Sequence, residues 1–435
     1  MIINKRTFLW MISVFMISFY AYTMMGIDYV IKPYYAYKTL WLYASILMLI
    51  MTFFITQRGH ITLNVTLPDI LIAGTVLLML IWNNYDFQNN EYFRFIGYLM
   101  VIIAYYIFKQ RDAWIHIMVK AWRFVGVFYA IGTIWVFIMP SAYENIIYPL
   151  YKEIMVHDLL QFYRDGCISG ITAHYTTNGI YLQLGFGVLA CACFLHEKKE
   201  KIKISTYIMF AMVTFALLIT GKRAHLFFAI AAFVATYYVF NVQKKWKRIT
   251  KIIFAGIAAF IALFVIAQFV PEVLTPFMRL ISGIEEGNLS NGRDAMQVIA
   301  LAGFISSPIA GNGWDWFPYH NTLFGGGDFA HNVYKQLLCD TGIIGTALFV
   351  SLFAVCLFRA FTLLKNAKLE RVELTKEQIM FLCIAVYNQV FFLLYCTSGN
   401  PLYDTNCYLT YFCSIAIVEI LRGKTRTIKK GKHEI

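Results

Sequence analysis

Charge is what this sequence has least of. Only 14% of its 435 residues are Asp, Glu, Lys or Arg, while 60% are hydrophobic and 17% aromatic. A soluble chain carries about 25% charged residues, so a solvated globular domain is excluded. Runs such as "FLWMISVFMISFYAYTMM" are too apolar, and recur too often, for helices of a soluble core. A bilayer core of ~30 Å takes ~20 helical residues at ~1.5 Å each. Stretches of that kind fill the chain, which reads as an all-α integral membrane protein. Residues 1–435 form a single polytopic membrane domain without an internal repeat.

Other absences narrow the chemistry. None of the nine cysteines sits in a Cys-x-x-Cys pair, and most lie inside apolar runs, where they act as small hydrophobes. Neither a disulfide framework nor a metal site is signalled. The histidines lack His-x-x-x-His and His-Glu-x-x-His spacing. No small-x-small cleavage site follows Lys5, Arg6 and the first apolar run, which reads as a retained helix. Nucleic acid is disfavoured in spite of a net charge of +13, because the basic residues sit in short loops and in the tail of residues 422–435. Positive-inside topology produces that asymmetry.

Twelve spans are expected, at about 7–26, 38–56, 67–83, 93–109, 118–139, 176–195, 204–220, 223–240, 250–270, 339–360, 378–397 and 404–421. Lys and Arg in alternate loops put both termini in the cytoplasm. The outer loops are short except 140–175 and 271–338. Long connections of this sort are commonly functional. Within the second, "RDAMQVIALAGFIS" has helical spacing, with Ser290 or Asn291 as N-cap and Pro308 as a stop. The basic pair Lys222–Arg223 breaks the orientation rule by falling outside.

Few charges lie well inside the spans, where Asn388 and Gln389 are the main polar pair. Transporters keep ionisable groups near the midplane, so a reaction at the outer face is favoured over transport. Arg223 has a plain reading as an interfacial, snorkelling side chain and a functional one as a bidentate clamp on a phosphate. Arg293, opening a helix, is either a solvated charge or a second clamp beside a favourable dipole. Among the outer histidines, His331 suits general-base work on a hydroxyl, since imidazole titrates near 6.5, though a surface histidine is the plainer reading. No Asp-x-Asp occurs on an outer loop to hold a divalent cation. A metal-independent, cofactor-free mechanism is therefore expected.

"AHNVYKQLLCDTGIIG" resembles the signature of the bacterial O-antigen ligase and polysaccharide polymerase superfamily, with His331, Asn332, Tyr334, Leu337, Leu338, Asp340, Gly342 and Gly345 at its positions. "NGRDAMQVIALAGFISSPIAGNGWDWF" is similar to that family's Arg-containing loop helix followed by Pro-x-x-Gly-x-Gly. "TGKRAHLFFAIAAF" resembles its Ser-Arg motif at the start of a span, with Lys222 where Ser is frequent. "RDGCISGITAHYTTNGIYL" resembles an Arg-x-x-Gly segment entering a span, carrying Arg164 and Asn178. The likeness runs from about residue 160 to 345.

The resemblance implies a multi-spanning glycosyltransferase (GT-C-like) fold, with a large extracytoplasmic loop between helices 9 and 10 bearing the active site. It also implies a location in the cytoplasmic (inner) membrane, with membrane lipid around it. The donor would be an undecaprenyl-pyrophosphate-linked glycan and the acceptor a glycan or a lipid. A flippase and a chain-length regulator would work beside it. Carried over, Arg223 and Arg293 would bind pyrophosphate and His331 would deprotonate the acceptor. Asn332 would orient the histidine or the acceptor, and Tyr334 would stack on a sugar. Arg164, His174 and Lys222 would support the substrate. Polymerisation is the leading reading and ligation to a lipid or protein the alternative. A flippase or transporter of lipid-linked sugars is the rival from another class, and a purely structural role leaves the outer arginines idle.

Overall fold

The computed structural model describes residues 5–24, 34–57, 65–82, 92–151, 153–196, 201–243, 245–287, 293–321 and 328–425. Its elements are helices: α1 (Lys5–Phe19), α2 (Tyr34–Gln57), α3 (Leu67–Ile81), α4 (Tyr92–Lys109), α5 (Ile115–Ile138), α6 (Glu153–Arg164), α7 (Tyr175–Phe194), α8 (Ile204–Ile219), α9 (Arg223–Phe240), α10 (Lys245–Ala267), α11 (Thr275–Glu285), α12 (Arg293–Ser306), α13 (Trp316–His320), α14 (Val333–Lys368), α15 (Lys376–Tyr395) and α16 (Thr405–Lys424). Each of the twelve expected spans coincides with one of them. Six of these helices, α5, α7, α9, α10, α14 and α15, are long and apolar enough to cross a membrane. Four further apolar segments in α2, α3, α4 and α8 are shorter. This is an α-helical membrane protein, with six qualifying spans among the described residues where twelve were expected. The Ser290–Asn291 cap and nearly all of the basic tail lie outside the described residues.

Burial separates the helices. α7 is enclosed along nearly its whole length, as a helix apolar on all sides should be at the centre of a bundle. It packs against α5, α8, α9 and α15. The apolar stretch of α10 buries only Ala267 at its end, and Phe254, Phe260 and Phe264 project outward. In water such a face would be an aggregation site; against hydrocarbon it is in its proper solvent.

A joint in α14 positions the loop that precedes it. Gly342 has φ +60° and ψ −163°, so the helix is broken at that point. The break frees the carbonyls of Cys339 and Asp340. The N–H groups of Asn312 and Gly313 donate to them at 3.1 and 2.8 Å. In return, Ile343 N–H donates to Pro308 O at 2.9 Å and Ile344 N–H to Ile309 O at 3.3 Å. The two backbones touch too closely for side chains. A Cβ on Gly342 would lie 2.4 Å from Ile309 O, and one on Gly311 would lie 2.4 Å from Asp340 O. Pro-x-x-Gly-x-Gly and Gly-x-x-Gly are thus two halves of one contact, in which each strand of backbone satisfies the other's orphaned groups. The buried Asp340 carboxylate completes it, accepting from Phe317 N–H at 3.0 Å, Tyr403 Oη at 3.1 Å and Gln336 Nε2 at 3.3 Å.

The bundle therefore has two distinct ends. α7, α9, α14 and α16 begin at one, where α8 and α15 finish. The other end gathers the finish of α4, α9, α14 and α16 with the start of α5 and α15, tied there by a His116–Glu377 contact of 2.9 Å.

Candidate active site

A cavity of about 370 Å³ opens at the first end. Lys222, Arg223, Arg279, Arg293 and His331 all line it, with Tyr175, Gln297, Thr397 and Ser398 among the rest. None of its described lining residues is acidic. α7, α9 and α12 begin at the lining residues Tyr175, Arg223 and Arg293, so their N-terminal dipoles add to the positive field.

Local structure explains each placement. α8 ends at Ile219, and the chain turns through Gly221, whose φ is +66°. Lys222 then caps α9 and Arg223 is its first residue. The turn is so tight that two cations must share its tip. Lys222 is buried, and its ammonium lies 5.1 Å from the centre of the Tyr175 ring. Arg279, from α11, approaches the same ring at 5.9 Å. The electron-rich face partly offsets their repulsion. Arg279 also donates to Cys167 Sγ at 2.7 Å, and its carbonyl accepts from Arg223 Nη1 at 2.5 Å. Arg293 opens α12 and donates to Ser398 O at 3.3 Å. The Ser398 hydroxyl is buried without a hydrogen-bond partner among the described residues.

His331 is held on both sides. Ala330 N–H donates to Gln336 Oε1 at 3.1 Å and Val333 N–H to Cys396 O at 2.8 Å. Between these anchors His331 takes φ +51°, a left-handed conformation costing about 1–3 kcal/mol for a non-glycine residue. Its Nδ1 lies 3.2 Å from the Asn400 amide. Burial, then the charges of Arg293 and Lys222, holds the imidazole down at about 3. Burial followed by Arg293, Arg279 and Arg223 brings Lys222 down to about 7, with the Cys167 thiol pulling slightly the other way. Both shifts have the same causes in the same order, burial first and then a group of cations drawn together in a cavity without an acidic residue in its described lining.

The other sequence-nominated residues take different places. Asn332 caps α14, its Oδ1 accepting from Lys335 N–H at 3.1 Å and its Nδ2 donating to Thr397 O at 3.1 Å. The contact to the His331 ring comes instead from Asn400. Tyr334 donates its hydroxyl to Leu393 O at 3.1 Å and does not line the cavity. Lys335 meets Gln297 Oε1 at 2.6 Å, joining α14 to α12. His174 caps α7, accepting from Thr176 N–H at 3.0 Å. It stacks on Tyr175 behind the cavity wall, where burial and then the Lys222, Arg293 and His331 charges lower it to about 3. Arg164 is exposed at the end of α6 and does not line the cavity. Among the described residues no group of three His, Cys, Asp or Glu side chains is arranged to hold a metal ion.

Arg279 and Asn400 were not nominated from the sequence. Arg279 carried a readable signal, a cation on a loop assigned to the outer side. Asn400 carried none, since it is neutral and lies beyond the region of resemblance.

Helices apolar on their outward faces, with a cation-lined cavity at one end, define a membrane protein with a positively charged pocket. Residues 207–350 match the model of the family described as O-antigen ligase. That stretch, about a third of the chain, is similar to the O-antigen ligase family, and the match supports a membrane protein that processes glycans. It includes Lys222, Arg223, Arg279, Arg293 and His331 but ends before Asn400. No curated protein matches the chain.

Proposed function

We propose that this protein is a glycosyltransferase that polymerises undecaprenyl-pyrophosphate-linked oligosaccharide repeat units into a surface polysaccharide. The reaction takes place at the outer face of the cytoplasmic membrane, on a chain crossing twelve times with both termini inside, and without a metal ion. One observation carries the reading: four cations and a neutral histidine share a cavity whose described lining has no carboxylate.

The donor pyrophosphate occupies the space among Lys222, Arg223, Arg279 and Arg293. His331 takes the proton of the acceptor hydroxyl as its oxygen attacks the anomeric carbon. The bond from that carbon to the pyrophosphate oxygen breaks, and lipid pyrophosphate leaves with the electron pair. Attack opposite the leaving group inverts the anomeric centre. Cations stabilise the charge that develops on the leaving group, so a general acid is not required, and alignment of the two substrates supplies much of the rest.

The depressed acidity constant of His331 fits this role. Burial and the neighbouring cations keep imidazole neutral, which is the form a base needs. A bound pyrophosphate cancels the surrounding positive field and raises the basicity of His331 when the acceptor is present. Asn400 orients the ring, its Nδ2 lying 3.2 Å from the imidazole Nδ1.

Transfer of a finished glycan to a lipid or protein acceptor uses the same groups and is the second reading, favoured by the description of the matched family. A flippase is less well supported. The ion pairs within the described helices, Lys109–Asp69 and Arg359–Glu419, sit toward one end of the bundle and do not ring a central cavity. The test is His331→Ala in a strain lacking the gene, with the glycans separated by size. An unchanged ladder removes the catalytic proposal. Accumulated single repeat units identify a polymerase, and accumulated long lipid-linked chains identify a ligase.

A further inference from the structure

A second cavity, of about 470 Å³, lies at the opposite end of the bundle. α16 runs from the first end of the bundle to this cavity, and its 20 residues span roughly 30 Å at ~1.5 Å each. The floor of this second cavity holds Lys109, Arg359 and Glu419, and its rim holds Arg111, Arg422 and Lys424. Arg359 and Glu419 form a bidentate pair at 2.7 and 2.5 Å, with the carboxylate side chain only 2% exposed. Ionisable groups this far inside an apolar bundle are costly and tend to mark sites.

The charges do not balance. Five lysines and arginines line the cavity against two carboxylates, Asp112 and Glu419. Both carboxylates are already engaged, Glu419 by Arg359 and Asp112 by Lys424. Asp69, just outside the lining, is engaged by Lys109. Arg422 is left facing Arg359. Partial burial and the Arg359 charge push its guanidinium below the usual range, while Glu419 acts the other way. Two guanidinium groups brought together over a polar hollow make a cradle for an oxyanion: Arg422 offers its planar fork, and Arg359, whose Nε and Nη2 are held by Glu419, offers Nη1.

We propose that this second cavity binds a phosphate-bearing anion, with Arg422 and Arg359 holding its oxygens, independently of the chemistry around His331. The ligand class is a phosphate ester or free phosphate. The positive-inside orientation puts the cavity at the cytoplasmic face, where the headgroup of an anionic phospholipid and a soluble phosphate are both within reach.

The experiment is a titration of the purified full chain in neutral detergent, following the thermal unfolding midpoint. One arm adds phosphatidylglycerol, with phosphatidylcholine as the uncharged control, and the other adds inorganic phosphate. Wild type, Arg422→Gln, Glu419→Gln and Lys251→Gln are compared. Lys251 is an exposed basic residue of α10 away from the cavity. Part of the response in every protein comes from the first cavity, so the difference between wild type and variant is the measured quantity. Arg422→Gln should weaken the apparent affinity about tenfold, the worth of one charge-assisted hydrogen bond. Glu419→Gln removes the anion that competes for Arg359, so it should tighten binding relative to its own baseline. If that variant does not fold, Arg422→Gln decides alone. A response to phosphatidylglycerol only identifies a lipid headgroup, and one to inorganic phosphate identifies the free anion. The proposal is overturned if Arg422→Gln titrates like wild type in both arms, or if Lys251→Gln loses as much.

Discussion

The two cavities at opposite ends of the bundle are both cationic, but they are built on opposite terms. At one end Arg359, Lys109 and Lys424 each have a carboxylate against them, and Arg422 is the exception. Around Lys222 and Arg293 no described lining residue supplies one. Paired charges make a stable floor, whereas uncompensated ones store repulsion that an arriving anion relieves. The second arrangement suits a site that must bind a polyanion tightly and then act on it. It costs folding stability, and the left-handed backbone of His331 adds to that cost.

The comparison is broken most severely at His331. His331→Gly should lower product formation by about 10²–10⁴-fold, the usual worth of a general base, in an assay with lipid-linked substrate. It should not lower the unfolding temperature, because glycine takes φ +51° without strain. A loss of activity that only tracks a loss of stability would make the histidine structural. Next in size is Arg279→Ala, expected to reduce kcat/KM by about 10–100-fold, one or two charge-assisted contacts. Arg164→Ala, outside the cavity, should change it less than about twofold, within the small effects of exposed positions. Equal losses in the two variants would mean that the cavity does not define the donor site.

Much of this was legible in the residues, and the gaps have physical reasons. Hydropathy located every expected span on a helix, because an apolar run in a bilayer has few alternatives. Chain order brought Lys222, Arg223, Arg293 and His331 to one cavity, because alternate loops share an end of the bundle. What composition could not assign was the division of labour inside a motif. Asn332 and Tyr334 belong to the signature, yet they cap and anchor α14. The partner of His331 arrives from a loop 69 residues away. The glycines of the two motifs were legible as a pattern but not as one joint, since a close approach of two backbones leaves no trace in either segment alone. Asp69 and Arg359 fall inside expected spans, and nothing in the sequence joins them to Lys109 and Glu419, 40 and 60 residues away.

A smaller effect tests the uncompensated field through pH. Lys222 sits at about 7 in the free protein, and donor binding favours its charged form. As pH rises through 7 the charged fraction falls, so kcat/KM should decline on the alkaline side. No acidic limb is expected near neutrality, since His331 stays neutral down to about 3. Lys222→Arg keeps the charge at every accessible pH and should remove the alkaline limb. A limb of the same midpoint in that variant would assign it to another group.

The smallest expected effect separates two asparagines that the sequence could not rank. Asn332→Ala loses a helix cap worth about 1 kcal/mol and should lower the unfolding temperature by a few degrees, with kcat nearly intact. Asn400→Ala removes the partner of His331 Nδ1 and should do the reverse, lowering kcat while the unfolding temperature hardly moves. Asn400→Asp sharpens the contrast. A carboxylate at 3.2 Å would raise the imidazole towards its ordinary range, so an acidic limb should enter the pH profile of kcat. A kcat profile without that limb would show that the field of Arg293 and Lys222, and not the Asn400 contact, sets the basicity of His331.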